Sequence, residues 1–305
     1  MTEPSKLIAS ETTLRRDAFA LGEILAAEVA RGDIELPGFP PVALRVQKML
    51  NDDRADVHDI AQAASLDPSF AMLILRIANS AAFSSASFQV KDLRAAVQRI
   101  GTRMVRAAAL ALVVQSLRSN DELRALRDRL GSVWRRGINV GSVAKAIAWR
   151  TGSADPDAAL LTGLLHVVGK LYVLSRMHNV PHLFEQEGLP EKLLERWSDP
   201  VTDVLLLKWE VPREYYEAVQ HFHSRWQPAE KLPESRLGDV LTAANLLTDL
   251  LPPSRSDYLD QMQLAQVCLL HEPLLDRLKL TREACSDAIH TALEEVQQLR
   301  ALFGA

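Results

Sequence analysis

Asp67-Pro-Ser-Phe-Ala-Met-Leu-Ile-Leu-Arg-Ile-Ala-Asn-Ser80 is the stretch that decides the fold of this chain. The Asp-Pro pair is typical of a helix start, because the aspartate caps the first turn and the proline is suited to the first helical position. Apolar side chains then follow at the i, i+3, i+4 and i+7 positions of one helix face, namely Phe70, Leu73, Ile74 and Ile77. The stretch therefore predicts a helix with one buried face.

The helical pattern continues beyond this stretch. Asp92 is expected to cap a short helix that ends at Gly101. Residues 102–117 are almost continuously apolar, which favours a central, well-buried helix. Strict two-residue alternation over the length of a strand is absent from the sequence. We therefore predict an all-α protein.

The composition is near the average for soluble globular proteins, with 48% apolar and 24% charged residues. Cys268 and Cys285 are too few for a disulfide framework or a zinc cluster, and they favour a reducing cytoplasm. No apolar run approaches the roughly 18–20 residues of a membrane span, and residues 1–10 lack the apolar core of a signal peptide. A cytoplasmic protein that does not enter a membrane is expected.

The sequence divides into four predicted segments. A first helix lies within residues 1–33, and the prolines of Leu36-Pro-Gly-Phe-Pro-Pro41 then break the chain. An N-terminal helical half is expected over residues 34–118, and a second helical half over residues 119–250. Two further helices are expected over residues 251–305.

The net charge of −4 conceals an uneven distribution. Residues 91–150 contain thirteen Lys/Arg against four Asp/Glu, a balance of +9, and the remaining 22 basic against 35 acidic residues give −13. Such a segment attracts nucleic acid, phosphate ligands or an acidic partner. The simpler interpretation is that its arginines pair with acidic residues elsewhere in the fold. Only Trp134 and Trp149 provide aromatic side chains there, which disfavours single-stranded nucleic acid as a partner.

An ordered set of motifs runs through most of the chain. Its members are Leu36-Pro…Pro41, the Asp67–Ser80 stretch, Ile100-Gly101, Trp134-Arg-Arg-Gly137, His166-Val-Val-Gly-Lys170, Trp209-Glu-Val-Pro212 and His221-Phe-His223. Their order and spacing resemble those of the HDOD family over about residues 30–250. The resemblance implies a helical bundle of two packed halves that is related to the HD phosphohydrolases. It also implies a signalling or regulatory role, acting through protein partners, rather than an established enzymatic one.

The resemblance also implies which residues stand at the metal-ligand positions of active HD phosphohydrolases. Arg136 occupies the first His position, Val167 the Asp of the His-Asp pair, and Asn245 the final Asp, while a further His position falls near Ser198. A hydrolytic divalent site needs several deprotonated ligands and an open position for water. A guanidinium repels a cation, and valine and asparagine carry no negative charge. We therefore expect a protein without a catalytic metal, without another cofactor and without hydrolytic activity.

His166 has two interpretations. It is a buried helical histidine that bonds to a backbone carbonyl or polar neighbour, or it belongs to a remnant pocket in which basic side chains bind a phosphate. The candidate pocket consists of Arg136, His166, Lys170, His221, His223 and Asn245. The i and i+2 spacing of His221 and His223 is poor for one helix face, and a packed aromatic cluster is the simpler explanation for that pair.

The other motif residues are predicted to be structural, and they are Asp67, Pro68, Arg76, Asn79, Ser80 and Gly101. Asn79 is expected to take the left-handed conformation and to cap the last carbonyls of its helix. Ser80 is expected to bond to backbone groups of the loop that follows, and Arg76 to hold that loop in place.

Other catalytic arrangements have little support in the sequence. No Gly-x-Ser-x-Gly, phosphate-binding glycine-rich loop or His-Glu-x-x-His occurs, and neither cysteine has a nucleophile-like context. Asp199-Pro200 is expected to open a new helix. Glu195, Asp199 and Asp203 are therefore interpreted as solvated surface charges.

Two functions follow from these patterns. We expect a non-catalytic regulatory module of bacterial signal transduction, which contacts its unidentified partners at a groove between the helical halves near residues 80–90. The alternative is a ligand sensor or residual phosphohydrolase for a nucleotide or cyclic dinucleotide, which requires the pocket residues to converge on an open cavity. Direct nucleic-acid binding is a weaker hypothesis, and it predicts a steep loss of affinity with salt.

Overall fold

The computed structural model describes the backbone of residues 3–37, 40–52, 54–81, 83, 89–224, 235–252 and 259–304, and within these ranges the side chains from residue 16 onward. These residues form fourteen α-helices and three short 3-10 helices, and no strand occurs among them. The prediction of an all-α protein is confirmed.

We number the α-helices in chain order. They are α1 (Glu3–Arg31), α2 (Pro41–Asn51), α3 (Val57–Ser65), α4 (Pro68–Ala78), α5 (Leu93–Ser119), α6 (Arg127–Thr151), α7 (Pro156–Leu165), α8 (Val168–Arg176), α9 (Leu189–Lys208), α10 (Arg213–Ser224), α11 (Arg236–Thr248), α12 (Gln261–Leu270), α13 (Glu272–Arg277) and α14 (Arg282–Phe303). The 3-10 helices are Asp121–Leu126, Met177–Asn179 and Pro181–Glu185.

Helix α4 begins where the Asp-Pro pair predicts. Asp67 Oδ1 accepts a hydrogen bond from the Phe70 amide at 2.9 Å, and Pro68 is the first helical residue. The four apolar residues of the predicted face are all buried. Local sequence alone therefore determines both the start of this helix and the face that it buries.

Helix α5 is two helical runs joined at one glycine. Asp92 Oδ1 accepts from the Ala95 amide at 2.8 Å, which caps the first run. Gly101 interrupts the helix with φ 74° and ψ 164°, a conformation that side chains with a Cβ rarely adopt. The second run is buried over most of its length, as its nearly continuous apolar sequence predicts.

The residues after α4 hold the chain differently from our expectation. Asn79 has φ −98°, so the predicted left-handed conformation is wrong. Its side-chain amide instead binds the backbone of Val90 on both sides, donating to the carbonyl and accepting from the amide, each at 2.8 Å. Ser80 donates to the carbonyl of Ile77, at 2.7 Å, rather than to the loop. Asn79 thus closes the loop by joining its two ends.

Arg76, which we expected to hold this loop, binds another helix among the residues that the structure describes. Its guanidinium donates to the carbonyl of Leu302 at the end of α14. That helix packs against α4, α5 and α6, so the last turns of α4 and α14 lie side by side. Because the final carbonyls of a helix lack partners within it, an arginine from a neighbouring helix is a favourable donor to them.

Helix α6 lies at the centre of the second half, in contact with α7, α11 and α14. Its crossing with α7 depends on two glycines, because a Cβ at Gly163 would overlap the backbone of Gly141. Helices α2 to α5 pack on one another in the first half, and α5 also contacts α6 and α7. Helix α1 lies along α9 of the second half.

Two helical stretches are long and apolar enough, by length and composition, to cross a membrane, although no such stretch was predicted from the sequence. They are Leu93–Ser119 and Pro156–Asn179. Their most apolar windows are 72% and 94% buried inside the fold. Such burial is typical of core helices, so their apolar character is explained by packing within the protein.

Candidate functional site

A cleft of about 560 Å³ opens among five helices of the second half and the turn between α7 and α8. The side chains that line it are Arg136, His166, Lys170, Leu194, Glu195, Ser198, Asp199, Phe222, His223 and Asn245. Five of the six predicted pocket residues therefore meet at one cavity. The segments that carry them come from α6, α8, α10, α11 and the α7–α8 turn, and α9 supplies the opposite wall.

His166 is the buried, carbonyl-bonded histidine of the first interpretation, and it also lines the cleft. Its ring is buried, and Nδ1 donates to the carbonyl of Gly163 at 2.6 Å, which leaves Nε2 as an acceptor. The ring packs against Phe222 in a T-shaped arrangement, with 5.5 Å between the centroids and 77° between the ring planes. Burial lowers the pKa of His166 to about 3, and the charges of Lys170 and Arg136 act in the same direction. The imidazole is therefore neutral near pH 7 and lines the cleft.

Arg136 spans the gap between α6 and α11. One terminal nitrogen donates to both the backbone carbonyl and the side-chain Oδ1 of Asn245, each at 3.0 Å. The other terminal nitrogen forms an ion pair with Asp249. The guanidinium at the position where a metal-binding imidazole was expected is thus held by acceptors of the chain itself. Asp249 supplies its counter-charge.

Val167 lies against the central helix rather than in the cleft. Its side chain is 1% exposed, and one of its methyl groups would lie 2.8 Å from a Cβ placed on Gly137. The missing side chain of this glycine makes room for the valine. The position that the family resemblance aligns with a metal-ligand carboxylate is therefore part of the packed contact between α6 and the α7–α8 turn.

The cleft residues do not fit the divalent metal that HD-type phosphohydrolases hold. Among the residues that the structure describes, no group of three or more His, Cys, Asp or Glu side chains is arranged to hold a metal ion. His166 is one possible ligand, but Arg136 places a fixed positive charge on the same cleft. What the arrangement offers instead is hydrogen bonding to a polar molecule, beside the side chain of Phe222.

The opposite wall of the cleft contains acidic residues that we interpreted from the sequence as solvated surface charges. Helix α9 continues through Pro200, so Asp199-Pro200 does not open a new helix, and that expectation was wrong. Asp199 lies 3.3 Å from Nε2 of His223, and Asp203 lies 3.5 Å from Nδ1. Their four-residue spacing on one continuous helix was the signal that was available for finding them.

His221 does not line the cleft. Its Nε2 lies 3.2 Å from Oδ1 of Asp239, which also accepts from Arg277 at 2.7 Å. Burial raises the pKa of Asp239, but the His221 and Arg277 hydrogen bonds outweigh it and bring the pKa down to about 2. The ring also fits against Gly238, where a Cβ would come within 2.7 Å of it. The i and i+2 spacing separates the two histidines, and His221 joins a structural ion pair.

Part of the basic segment over residues 91–150 is compensated within the fold. Four of its cations pair with acidic residues elsewhere in the chain, namely Arg103 with Asp155 at 2.9 Å, Arg136 with Asp249, Lys145 with Glu295 at 2.9 Å, and Arg150 with Asp287 at 2.7 Å. For these four residues the simpler interpretation of the charge pattern holds.

The groove between the two helical halves is small, with a volume of about 20 Å³. It is mostly apolar, and its lining residues are Ala43, Leu44, Gln47, Arg106, Ala109, Leu110, Val113, Leu165 and Trp209. Residues 82 and 84–88, which belong to the loop expected beside this groove, lie outside the described residues.

Sequence comparison finds one family and a distant relative. A sequence model of the HDOD domain matches residues 36–225. An uncharacterised protein of Treponema pallidum (strain Nichols) is 23% identical over 210 residues, which cover 66% of this chain and 40% of that protein. The match thus spans less than half the length of this curated relative.

Solved structures share the fold. A provisionally named metal-dependent phosphohydrolase from Shewanella amazonensis SB2B has a TM-score of 0.63 at 21% identity, covering 90% of this chain and 99% of that one. An HDOD domain protein of unknown function from Geobacter sulfurreducens has a TM-score of 0.62 at 20% identity, covering 92% and 97%. A provisionally named signal transduction protein from Marinobacter aquaeolei VT8 has a TM-score of 0.59 at 18% identity, covering 95% and 67%.

Proposed function

The chain belongs to the HDOD domain family, and from that premise we propose that it is a non-catalytic regulatory module of bacterial signal transduction. In this proposal it resides in the cytoplasm and acts through contacts with signalling proteins. A structural relative that is provisionally named a signal transduction protein is consistent with this role.

One observation carries the non-catalytic part of the proposal. Arg136 lies on the cleft with its guanidinium bound to Asn245 and Asp249, and Val167 is packed against Gly137. A hydrolytic metal needs anionic or neutral donors at these positions and room for a bound water. Recruiting a metal here would require displacing a paired guanidinium and rebuilding a packed helix contact.

The experiment is a phosphodiesterase assay with Mn²⁺ or Mg²⁺ on bis(p-nitrophenyl) phosphate and on cyclic dinucleotides, together with metal analysis of the purified protein. We expect no metal-dependent turnover above the buffer blank and no stoichiometric metal. Turnover that requires metal and is lost in His166→Ala, but not in the exposed-site control His290→Ala, would overturn the proposal.

The partner-binding part of the proposal concerns the groove between the halves. Leu44 is 39% exposed at this groove, which α2, α5 and Trp209 help to form. We expect Leu44→Arg to abolish capture of a signalling partner from cell extract, whereas Leu269→Arg, a change of the same kind on the distant helix α12, leaves it intact. Equal capture by both variants would exclude the groove as the contact site.

A second function is favoured by the convergence of five predicted residues on one cavity. A cleft of about 560 Å³ that is lined by His166, Lys170 and Asn245 is large enough for a small polar ligand of the nucleotide type. We propose this ligand-sensing role as an addition to the regulatory one. A saturable rise in melting temperature with a nucleotide, lost in His166→Ala and kept in His290→Ala, is the expected result. No shift with nucleotides or cyclic dinucleotides would exclude it.

A further inference from the structure

Arginines from four helices gather around the C-terminal end of α14. Arg118 donates to the carbonyl of Gly304, Arg76 to that of Leu302, and Arg127 donates to the carbonyl of Arg118 at 2.6 Å. Arg135 and Arg300 belong to the same group, which we call the arginine cluster: Arg76, Arg118, Arg127, Arg135 and Arg300. The cluster is formed where α4, α5, α6 and α14 meet.

Gly131 brings two of these guanidinium groups together. A Cβ at this position of α6 would lie 3.2 Å from a terminal nitrogen of Arg135 and 3.5 Å from Nε of Arg118. Both cations therefore rest over the same bare stretch of helix backbone. Like charges at such a separation repel each other unless a counter-ion lies between them.

Arg300 approaches this pair from α14. Its terminal nitrogen donates to Asn139 Oδ1 at 2.9 Å, one helical turn beyond Arg135. Burial lowers the pKa of Arg300, and the positive charge of Arg135 lowers it further. The guanidinium of Arg300 is therefore close enough to that of Arg135 for the two charges to repel each other.

The chain does not neutralise the cluster within its described part. None of the five arginines forms an ion pair with an Asp or Glu there, in contrast to Arg103, Lys145 and Arg150. The Nε atoms of Arg118 and Arg300 are buried and have no hydrogen-bond acceptor among those residues. A buried donor without an acceptor is costly, and most such groups in proteins have a partner.

The C-terminal dipole of α14 explains only part of this arrangement. Arg76 and Arg118 bind the last carbonyls of that helix, which a cation stabilises. Arg135 binds no carbonyl, carboxylate or side-chain oxygen within the same part of the chain, yet it lies in the middle of the cluster. Helix capping therefore leaves Arg135 and its position over Gly131 unexplained.

We propose that Arg118, Arg135 and Arg300 form a binding site for the phosphate group of a small molecule. A multiply charged oxyanion supplies acceptors to several guanidinium groups at once and removes their mutual repulsion. Helix α14 packs against α6 at this site, whereas the α7–α8 turn packs against α6 at the Val167 contact. It is separate from the cleft around His166.

The test is the binding of pyrophosphate and inorganic phosphate to the full chain, which is measured by calorimetry and by the rise in melting temperature. Sodium chloride at the same ionic strength is the reference solution. Phosphate also stabilises proteins without binding at a site, so the comparison is made between variants. We expect saturable binding to the wild type. We expect the Kd to rise about tenfold or more in Arg135→Gln and Arg300→Gln, as the loss of a charge-assisted hydrogen bond predicts.

Arg150→Gln is the matched control, because it removes the same charge from the same helix at a residue that is paired with Asp287. It should bind pyrophosphate like the wild type. His166→Ala should also retain binding, which separates this site from ligand sensing in the cleft. Absence of saturable binding to the wild type, or equal weakening in Arg150→Gln and Arg135→Gln, would overturn the proposal.

Discussion

The cleft and the arginine cluster both gather cations, but they balance charge in opposite ways. In the cleft, Arg136 pairs with Asp249, and His223 lies between Asp199 and Asp203. In the cluster, the described residues give Arg135 and Arg300 no acidic partner. Basic composition is therefore a poor guide to where an anion binds. What separates the two regions is whether the chain provides the counter-charge itself.

This contrast assigns different sensitivities to the two regions. The cleft should respond to changes that disturb its internal balance, such as a new buried charge or a protonated imidazole. The cluster should respond to what the solvent supplies, such as an oxyanion or screening salt. The predictions that follow test one side of this contrast at a time.

Val167→Asp should give the largest effect, because it places a carboxylate where a 1% exposed side chain packs against Gly137. We expect the free energy of unfolding to fall by about 3 kcal/mol or more at pH 7. Denaturant unfolding measures this loss. It would show that the position of Val167 does not tolerate a charge.

Val167→Asn separates the charge from the change of shape, since asparagine has nearly the same size as aspartate. The aspartate variant should be clearly less stable than the asparagine variant. If Mn²⁺ restored the stability of Val167→Asp but not of Val167→Asn, the cleft would retain a latent metal site. That outcome would contradict our account of its chemistry.

The titration of His166 should give the next largest effect. Its pKa of about 3 in the fold lies below the ordinary value of 6.5, so the unfolded chain takes up a proton that the folded chain does not. Stability is therefore lost as the pH falls below 6.5. Between pH 7 and pH 5 this group should cost about 2 kcal/mol.

His166→Asn removes this titration and keeps a polar side chain beside Gly163. The difference between the unfolding free energies of the wild type and this variant should shrink toward pH 5, as the wild type loses its advantage. A pH-independent difference would mean that His166 has the same pKa in the folded and the unfolded protein. The lowered pKa that we assign to the buried imidazole would then be wrong.

How much of these regions could be predicted from the sequence depends on how far apart along the chain the interacting residues lie. The start of α4 at Asp67 was predictable, because a cap and its helix are a few residues apart. The donation from Arg76 to Leu302 joins residues 226 positions apart, and no local pattern announces it. Pro200 was misread as a helix start because proline favours that position, whereas the packing of α9 holds it inside the helix.

The candidate site shows the same limit. Family motifs brought Arg136, His166 and Asn245 together correctly, and the i and i+2 spacing already argued against His221 and His223 sharing one face. The counter-charge of Asp249 was not predictable, since it follows from the packing of α11 on α6. The arginine cluster was also missed, because its members come from four separate helices.

Arg136→Ala should have a smaller effect than the His166 titration. The variant loses an ion pair and two hydrogen bonds, but Asp249 is 67% exposed and water replaces much of what is lost. We expect a loss of about 1 kcal/mol in denaturant unfolding. Arg150→Ala breaks an ion pair whose arginine side chain is 47% exposed, against 34% for Arg136, and it should cost about 0.5 kcal/mol or less. Equal losses would mean that the bridge between α6 and α11 contributes nothing specific.

Arg135→Gln should have the smallest effect on stability, and the sign of that effect tests the contrast most directly. Without an oxyanion, this variant should be as stable as the wild type or more stable by about 0.5 kcal/mol, because a like charge has been removed from its neighbours. Raising sodium chloride should reduce the difference, since salt screens the repulsion. The loss of stability in Arg136→Ala should persist at high salt as far as it comes from the lost hydrogen bonds, because salt screens only the ion pair. A destabilised Arg135→Gln at every salt concentration would show that the chain does supply a partner to Arg135, and the cluster would then be balanced like the cleft.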